Sequence, residues 1–154
     1  MPFDASRRDL TIGVIGTGAM GRGIVQVAAA GGMQVLMSDS RPGAAEEARG
    51  FIDKMLARAA EKGAMTKDEA VGAVNRIRVV GGAADMKPCQ VVIEAIVENL
   101  EAKQKLFAEL EAVVAPDCIL ATNTSSLSVT TIASKLKTPQ RFAGLPFFNP
   151  VPLM

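Results

Sequence analysis

The chain has 154 residues, 49 % apolar and 21 % charged, with 17 Lys and Arg against 16 Asp and Glu. That length and composition suit one globular domain with its own core, and exclude a disordered chain, a collagen-like chain and a small scaffold stapled by disulfides or metal. A net charge of +1 gives no electrostatic case for nucleic acid or an anionic membrane as partner.

Strands and helices alternate along the chain. Residues 11–15 (TIGVI) form a short apolar run ending in glycines, which predicts a buried strand. Residues 19–30 (AMGRGIVQVAAA) are helix-permissive, and Gly31 and Gly32 stop them as a helix C-terminus does. Residues 34–38 (QVLMS) read as a second strand. Pro42 suits a first helical turn, and a long helical pattern runs over 44–62 with an apolar stripe at Phe51, Met55, Leu56 and Ala59. Gly63 closes that helix. A further short helix is expected over 65–74, a third strand over 76–80 and a fourth over 90–93. A helix over 100–113, a fifth strand over 118–121, a helix over 128–136 and a sixth strand over 141–145 complete the order. Strands separated by helices predict an α/β fold: a Rossmann-type, doubly wound, mainly parallel sheet with helices on both faces.

Histidine, tyrosine and tryptophan are absent. No imidazole can therefore act as base, acid or metal ligand, and no metal site is expected. The two cysteines, Cys89 and Cys118, lack CxxC spacing and read as small buried residues of a reducing compartment. The start, MPFDASRRDL, lacks the apolar stretch of a signal peptide, and no later run approaches the ~20 apolar residues of a membrane span. A cytoplasmic protein is the expectation.

Gly16-Thr17-Gly18-Ala19-Met20-Gly21 is a GxGxxG in the context its chemistry needs, between the first strand and the first helix. Gly16 permits the tight turn, Gly18 lets backbone approach a pyrophosphate, and Gly21 allows close helix–strand packing. Taken alone, the motif is equally a glycine-rich turn. Asp39 adds weight: it ends the second strand eighteen residues after Gly21, where an acid accepts hydrogen bonds from the adenosine ribose. Its charge repels a 2′-phosphate and favours NAD over NADP, although Arg41 offers a neutralising cation. Two polar clusters, residues 94–100 and 122–126, follow apolar runs and so sit at carboxyl ends of strands, the edge where open α/β sheets bind ligands. Their plainer readings are Asn99 and Ser128 as helix caps and Thr, Asn and Ser as loop residues.

In this order GTGAMGRGI, Asp39, EAIVENLEAKQKLF, ATNTSSLSVT and RFAGLPFFNPVPLM resemble the NAD-binding domain of the 3-hydroxyacyl-CoA dehydrogenases, from about Leu10 to the last residue. The resemblance implies that Gly16, Gly18, Ala19, Met20, Gly21 and Asp39 hold the adenosine and pyrophosphate of NAD. It places Glu98 and Lys103 along the nicotinamide ribose, Asn149 near the nicotinamide, and Ser125 on the 3-oxygen of the substrate. The implied reaction is reversible oxidation of an L-3-hydroxyacyl-CoA to a 3-ketoacyl-CoA, in fatty-acid or aromatic-acid degradation. A CoA contact at Lys62 is weaker than a plain solvated helix face there.

One departure bears on catalysis. The family reads G-L-H-F-F-N-P where this chain has Gly144-Leu145-Pro146-Phe147-Phe148-Asn149-Pro150, so Pro146 stands in place of the general-base histidine. The resemblance makes residues 1–154 the NAD-binding domain alone. The family's helical domain, with the carboxylate that orients the histidine, would lie past Met154. The expected behaviour is NAD binding with little turnover, and self-association through an apolar edge at Phe147, Phe148, Val151 and Leu153. A free-standing NAD-binding or sensing module stays open beside the enzyme reading, and a dehydrogenase of small hydroxy acids fits less well.

Overall fold

The computed structural model describes residues 6–7, 9–146 and 151–153. Its elements are β1 (Thr11–Ile15), α1 (Ala19–Ala30), β2 (Gln34–Ser38), α2 (Ala44–Glu61), α3 (Lys67–Asn75), β3 (Ile77–Val79), β4 (Val91–Glu94), α4 (Leu100–Val113), β5 (Ile119–Thr122), α5 (Val129–Ala133) and β6 (Phe142–Gly144). Three short 3₁₀ turns, at Ala83–Met86, Pro139–Arg141 and Val151–Leu153, complete them. All six strands are parallel, in the order β3-β2-β1-β4-β5-β6. This is the Rossmann-type sheet that the alternation predicts, and its order reverses between β1 and β4.

Because both faces are covered, each central strand is apolar on both sides. Ile12, Val14, Val35, Met37 and Ile93 face α1, α2 and α3. Ile15, Leu36, Val92 and Leu120 face the other layer, where Met86, Phe107, Leu110 and Ile132 cover them. Cys89 and Cys118 are buried in that second layer, and burial pushes their thiols up to about 12 and about 11, so both stay protonated. The Phe107 and Phe142 rings meet edge-on at 4.7 Å and tie α4 to β6. Glu111 on α4 accepts from Lys137 N (2.9 Å), Thr138 N and Thr138 Oγ1 (both 2.7 Å), which fixes the connection into β6.

The structure corrects two expectations. The inward stripe of α2 is Ala45, Ala48, Ile52 and Leu56, not one through Phe51. Phe51 is exposed, and the Arg22 guanidinium of α1 lies 3.8 Å over its ring. Val151, expected on an exposed edge, is buried against α1: a Cβ on Gly23 would come within 2.8 Å of the Val151 Cβ. Phe147, Phe148 and Asn149 lie outside the described residues. Among the described residues no helix is long and apolar enough to cross a membrane.

Candidate functional site: the crevice at the carboxyl edge of the sheet

The turn from β1 into α1 is tight because two of its three glycines, Gly16 and Gly21, make it so. Gly16 adopts φ 99°, a left-handed conformation, and its N–H donates to Ser38 O at 2.9 Å. A Cβ there would lie 2.4 Å from Ala95 O, so this glycine lets β1 and the β4–α4 loop approach. At Gly21 a Cβ would sit 1.7 Å from Gly16 O. Gly18 differs. It has ordinary extended dihedrals as the N-cap of α1, and a Cβ there would meet nothing within 4 Å. No side chain caps α1, and its first turn carries no acid. The leading N–H groups of that turn, at Ala19, Met20 and Gly21, thus stand at an uncapped helix end open to an anion.

Asp39 follows β2 directly, and its side chain is 8 % exposed. Its Oδ2 accepts from Thr17 N (2.9 Å) and Thr17 Oγ1 (2.7 Å), and its Oδ1 from Arg41 N (2.9 Å). Burial works against the anion, yet the bonds from Arg41 and Thr17 outweigh it and hold the carboxyl below its usual range. The structure thus gives Asp39 a second task that spacing alone does not reveal: it braces the glycine turn. The exposed Arg41 guanidinium lies 3.5 Å from Oδ1.

On the other side of the seam, β4 ends in a buried carboxylate, Glu94, whose side chain has no exposed surface. Thr122 Oγ1 donates to its Oε1 at 2.5 Å, and Ile96 N donates to its Oε2 at 2.8 Å. Lys103 Nζ donates to the same Oε2 and reaches Glu98 Oε1 at 3.1 Å. Glu98 is half-exposed, and its Oε2 accepts from Thr124 Oγ1 and Ser126 Oγ. Burial disfavours its charge, but the bonds from Ser126, Thr124 and Lys103 together lower its pKa. Thr124 Oγ1 in turn accepts from Leu127 N at 3.0 Å. Ser125 therefore stands exposed at the crest of a loop anchored on both sides, and its hydroxyl makes no hydrogen bond to any described residue.

Several predicted site residues are brought together here. Gly16, Gly18, Ala19, Met20, Gly21 and Asp39 line one side of the β1/β4 seam, and Glu98 and Ser125 the other. Lys103 is wholly buried and meets the crevice only through Glu98. Asn99 and Ser128 also cap their helices, accepting from Ala102 N and Thr131 N. Lys62 sits on the exposed C-cap of α2. Pro146 is exposed just past β6, at the edge from which the Ser125 loop leaves β5. Glu94, Thr122 and Thr124 have no individual roles that the sequence alone reveals. The available signal was an acid closing an apolar strand (VVIE) with a lysine nine residues on.

The chain matches a family model described as "3-hydroxyacyl-CoA dehydrogenase, NAD binding domain" over residues 11–154. It is 46 % identical over 141 residues to a probable 3-hydroxybutyryl-CoA dehydrogenase of Bacillus subtilis, covering 92 % of this chain and 49 % of that protein. Among solved structures it is similar to a 3-hydroxybutyryl-CoA dehydrogenase of Escherichia coli, with TM-score 0.92 and 42 % identity over 95 % of this chain and 31 % of that one. An (S)-3-hydroxybutyryl-CoA dehydrogenase of Ralstonia eutropha gives TM-score 0.90 and 36 % identity, over 95 % and 52 % of the two chains. The chain thus spans about half the length of the curated relatives it matches.

Proposed function

Since the chain belongs to the 3-hydroxyacyl-CoA dehydrogenase family, of which it carries the NAD-binding domain, we propose that the β1/β4 crevice holds NAD for oxidation of a 3-hydroxyacyl-CoA. NAD supplies the hydride acceptor. The backbone of Gly16, Gly18, Ala19, Met20 and Gly21 receives the pyrophosphate, and Asp39 accepts from the adenosine ribose. Glu98, backed by Lys103, lies along the nicotinamide ribose, with Asn149 near the nicotinamide. Ser125 offers its free hydroxyl to the 3-oxygen of the substrate. The supporting observation is Gly18: the protein's own packing does not need a glycine there, while a ligand at the uncapped end of α1 does.

The test compares two glycines. Gly18→Ala should leave stability within about 1 kcal/mol, as expected for a residue exchanged at a helix N-cap. NAD affinity should drop about fivefold or more, because the methyl enters the ligand's space at a cost of roughly 1–3 kcal/mol. Gly21→Ala should destabilise the fold itself, since its Cβ meets backbone. Unchanged NAD titration by calorimetry with Gly18→Ala would remove the reading.

Oxidation is proposed for a protein of the relatives' length, of which this chain matches about half. The 154-residue chain should bind NAD yet form little NADH from 3-hydroxybutyryl-CoA. A general base contributes about 10²–10⁴-fold, and Pro146 has no titratable group. Pro146→His in this chain should restore little, because substrate positioning, worth ~7–11 kcal/mol of a barrier, calls on the family's helical domain. The same observation supports the second reading, a non-catalytic NAD-binding or sensing module. Robust NADH formation by the unaltered chain would overturn both the inactivity and the module.

A further inference from the structure

Three features outside the crevice invite a role. The open groove between α2 and α3 shows nothing that would occupy it. The seat of Val151 on α1 is already filled by the chain. The polar cluster beneath the crevice goes further, because every link in it is a named hydrogen bond or ion pair.

A lysine and a glutamate with no exposed surface are costly unless each finds partners, and such pairs seldom add stability over apolar replacements. Here the pair is fully satisfied. Glu94 uses both oxygens, on Thr122 of β5 and on Ile96 and Lys103 of the β4–α4 segment. Lys103 then spans from Glu94 to Glu98. Glu98, a half-exposed carboxylate, grips Thr124 and Ser126, the two neighbours of Ser125. Thr122 Oγ1 also receives Thr124 N at 3.3 Å, so the loop is fastened to Glu94 by a second route.

We infer that Glu94 is a positioning residue: its buried carboxylate fixes Lys103, and through it Glu98 and the Thr124–Ser126 arch, so that one buried charge sets both the cofactor side and the substrate side of the crevice. The inference rests on the reading of that crevice given above. Glu94 touches neither ligand. Its part is to keep the ammonium of Lys103 in one place, so that Glu98 keeps one orientation. Two carboxylates to one ammonium leave a net negative charge, and that charge is exposed only at Glu98.

The decisive experiment replaces the buried pair by neutral groups of similar shape, Glu94→Gln with Lys103→Met. The amide introduced by Glu94→Gln can still accept from Ile96 N and donate to Thr122 Oγ1, whose hydroxyl rotates to receive it. Exchanging both partners spares the fold the lone buried charge that a single change creates. The expected result is a melting temperature near that of the parent and NAD binding weaker by about tenfold, the change that losing a hydrogen bond to a charged group produces. Amide hydrogen exchange at Thr124 and Leu127 should speed up, and the Glu98 carboxyl, followed by NMR, should titrate higher once the ammonium is gone. A merely structural pair would move none of these three once stability is kept.

Should the double variant fail to fold, the change at Glu98 keeps the inference open to refutation. Glu98→Gln, a change at a half-exposed residue, must in any case loosen the Thr124 and Leu127 amides. Unchanged exchange in Glu98→Gln, or unchanged NAD affinity and exchange in a folded double variant, overturns the inference. The two readings fail separately. If Gly18→Ala leaves NAD binding intact, the crevice assignment falls, whereas loop exchange and the Glu98 titration still judge Glu94.

Discussion

Asp39, Glu98 and Glu111 share a predicament: burial works against each charge, and hydrogen bonds from neighbouring N–H and O–H groups outweigh it. All three pKa values are lowered in the folded chain. A lowered folded value contributes stability that is full above the unfolded carboxylate range and is lost as pH falls through the folded values. The melting temperature should therefore hold steady near neutrality and fall as the solution is taken from about pH 5 towards pH 2. Glu98→Gln should flatten part of that decline. A variant whose acid branch superimposes on the parent's would show that Glu98 is not held as described. At this scale the glycine turn and Asp39 were legible because their spacing is dictated by backbone geometry. The bond from Thr17 to Asp39 was not, since no sequence period relates a turn side chain to the end of the next strand. Glu94 escaped for a similar reason: its partners Thr122 and Lys103 become neighbours only once β4, β5 and α4 have packed.

Among elements, α2 shows how composition blurs a face. Its alanines make several stripes nearly equal in hydropathy, and the bulk of Phe51 draws attention to the wrong one. Packing against α3, α1 and β3 selects Ala45, Ala48, Ile52 and Leu56 instead. Ile52→Ala should accordingly cost about 2–5 kcal/mol, as for a large aliphatic residue removed from a core. Phe51→Ala should cost no more than about 1.5 kcal/mol, roughly its contact with the Arg22 guanidinium and a little buried area. Urea unfolding of the two variants measures both, and equal losses would return α2 to the sequence-based stripe. Where glycines or strand polarity punctuate the chain, at β1, α1 and β2, bounds and sequence agree. The helix expected over 128–136 is shorter, Val129–Ala133, because the Ser134 hydroxyl turns back onto Thr131 O as the chain tightens.

For the whole molecule, the strand order divides the chain cleanly. Residues 11–79 supply β1, β2 and β3 as one contiguous half of the sheet, and residues 91–144 supply β4, β5 and β6 as the other. The halves pair along a single line, β1 against β4, with Ile12, Gly13, Val14 and Ile15 opposite Val91, Val92, Ile93 and Glu94. The alternation of strands and helices announced a doubly wound parallel sheet, while its division into halves and the depth of their joining, with Gly16 pressed against Ala95, belong to tertiary contact alone. That line has a kinetic meaning. Each half can gather from near neighbours in sequence, but the ligand crevice does not exist until the two are zipped together. A ligand that recognises only the zipped state cannot hasten the zipping and can only delay its undoing. Saturating NAD should therefore leave the refolding rate in stopped-flow mixing unaltered while slowing denaturant-induced unfolding in proportion to its binding. Faster refolding with NAD would mean that the crevice takes shape before the halves meet.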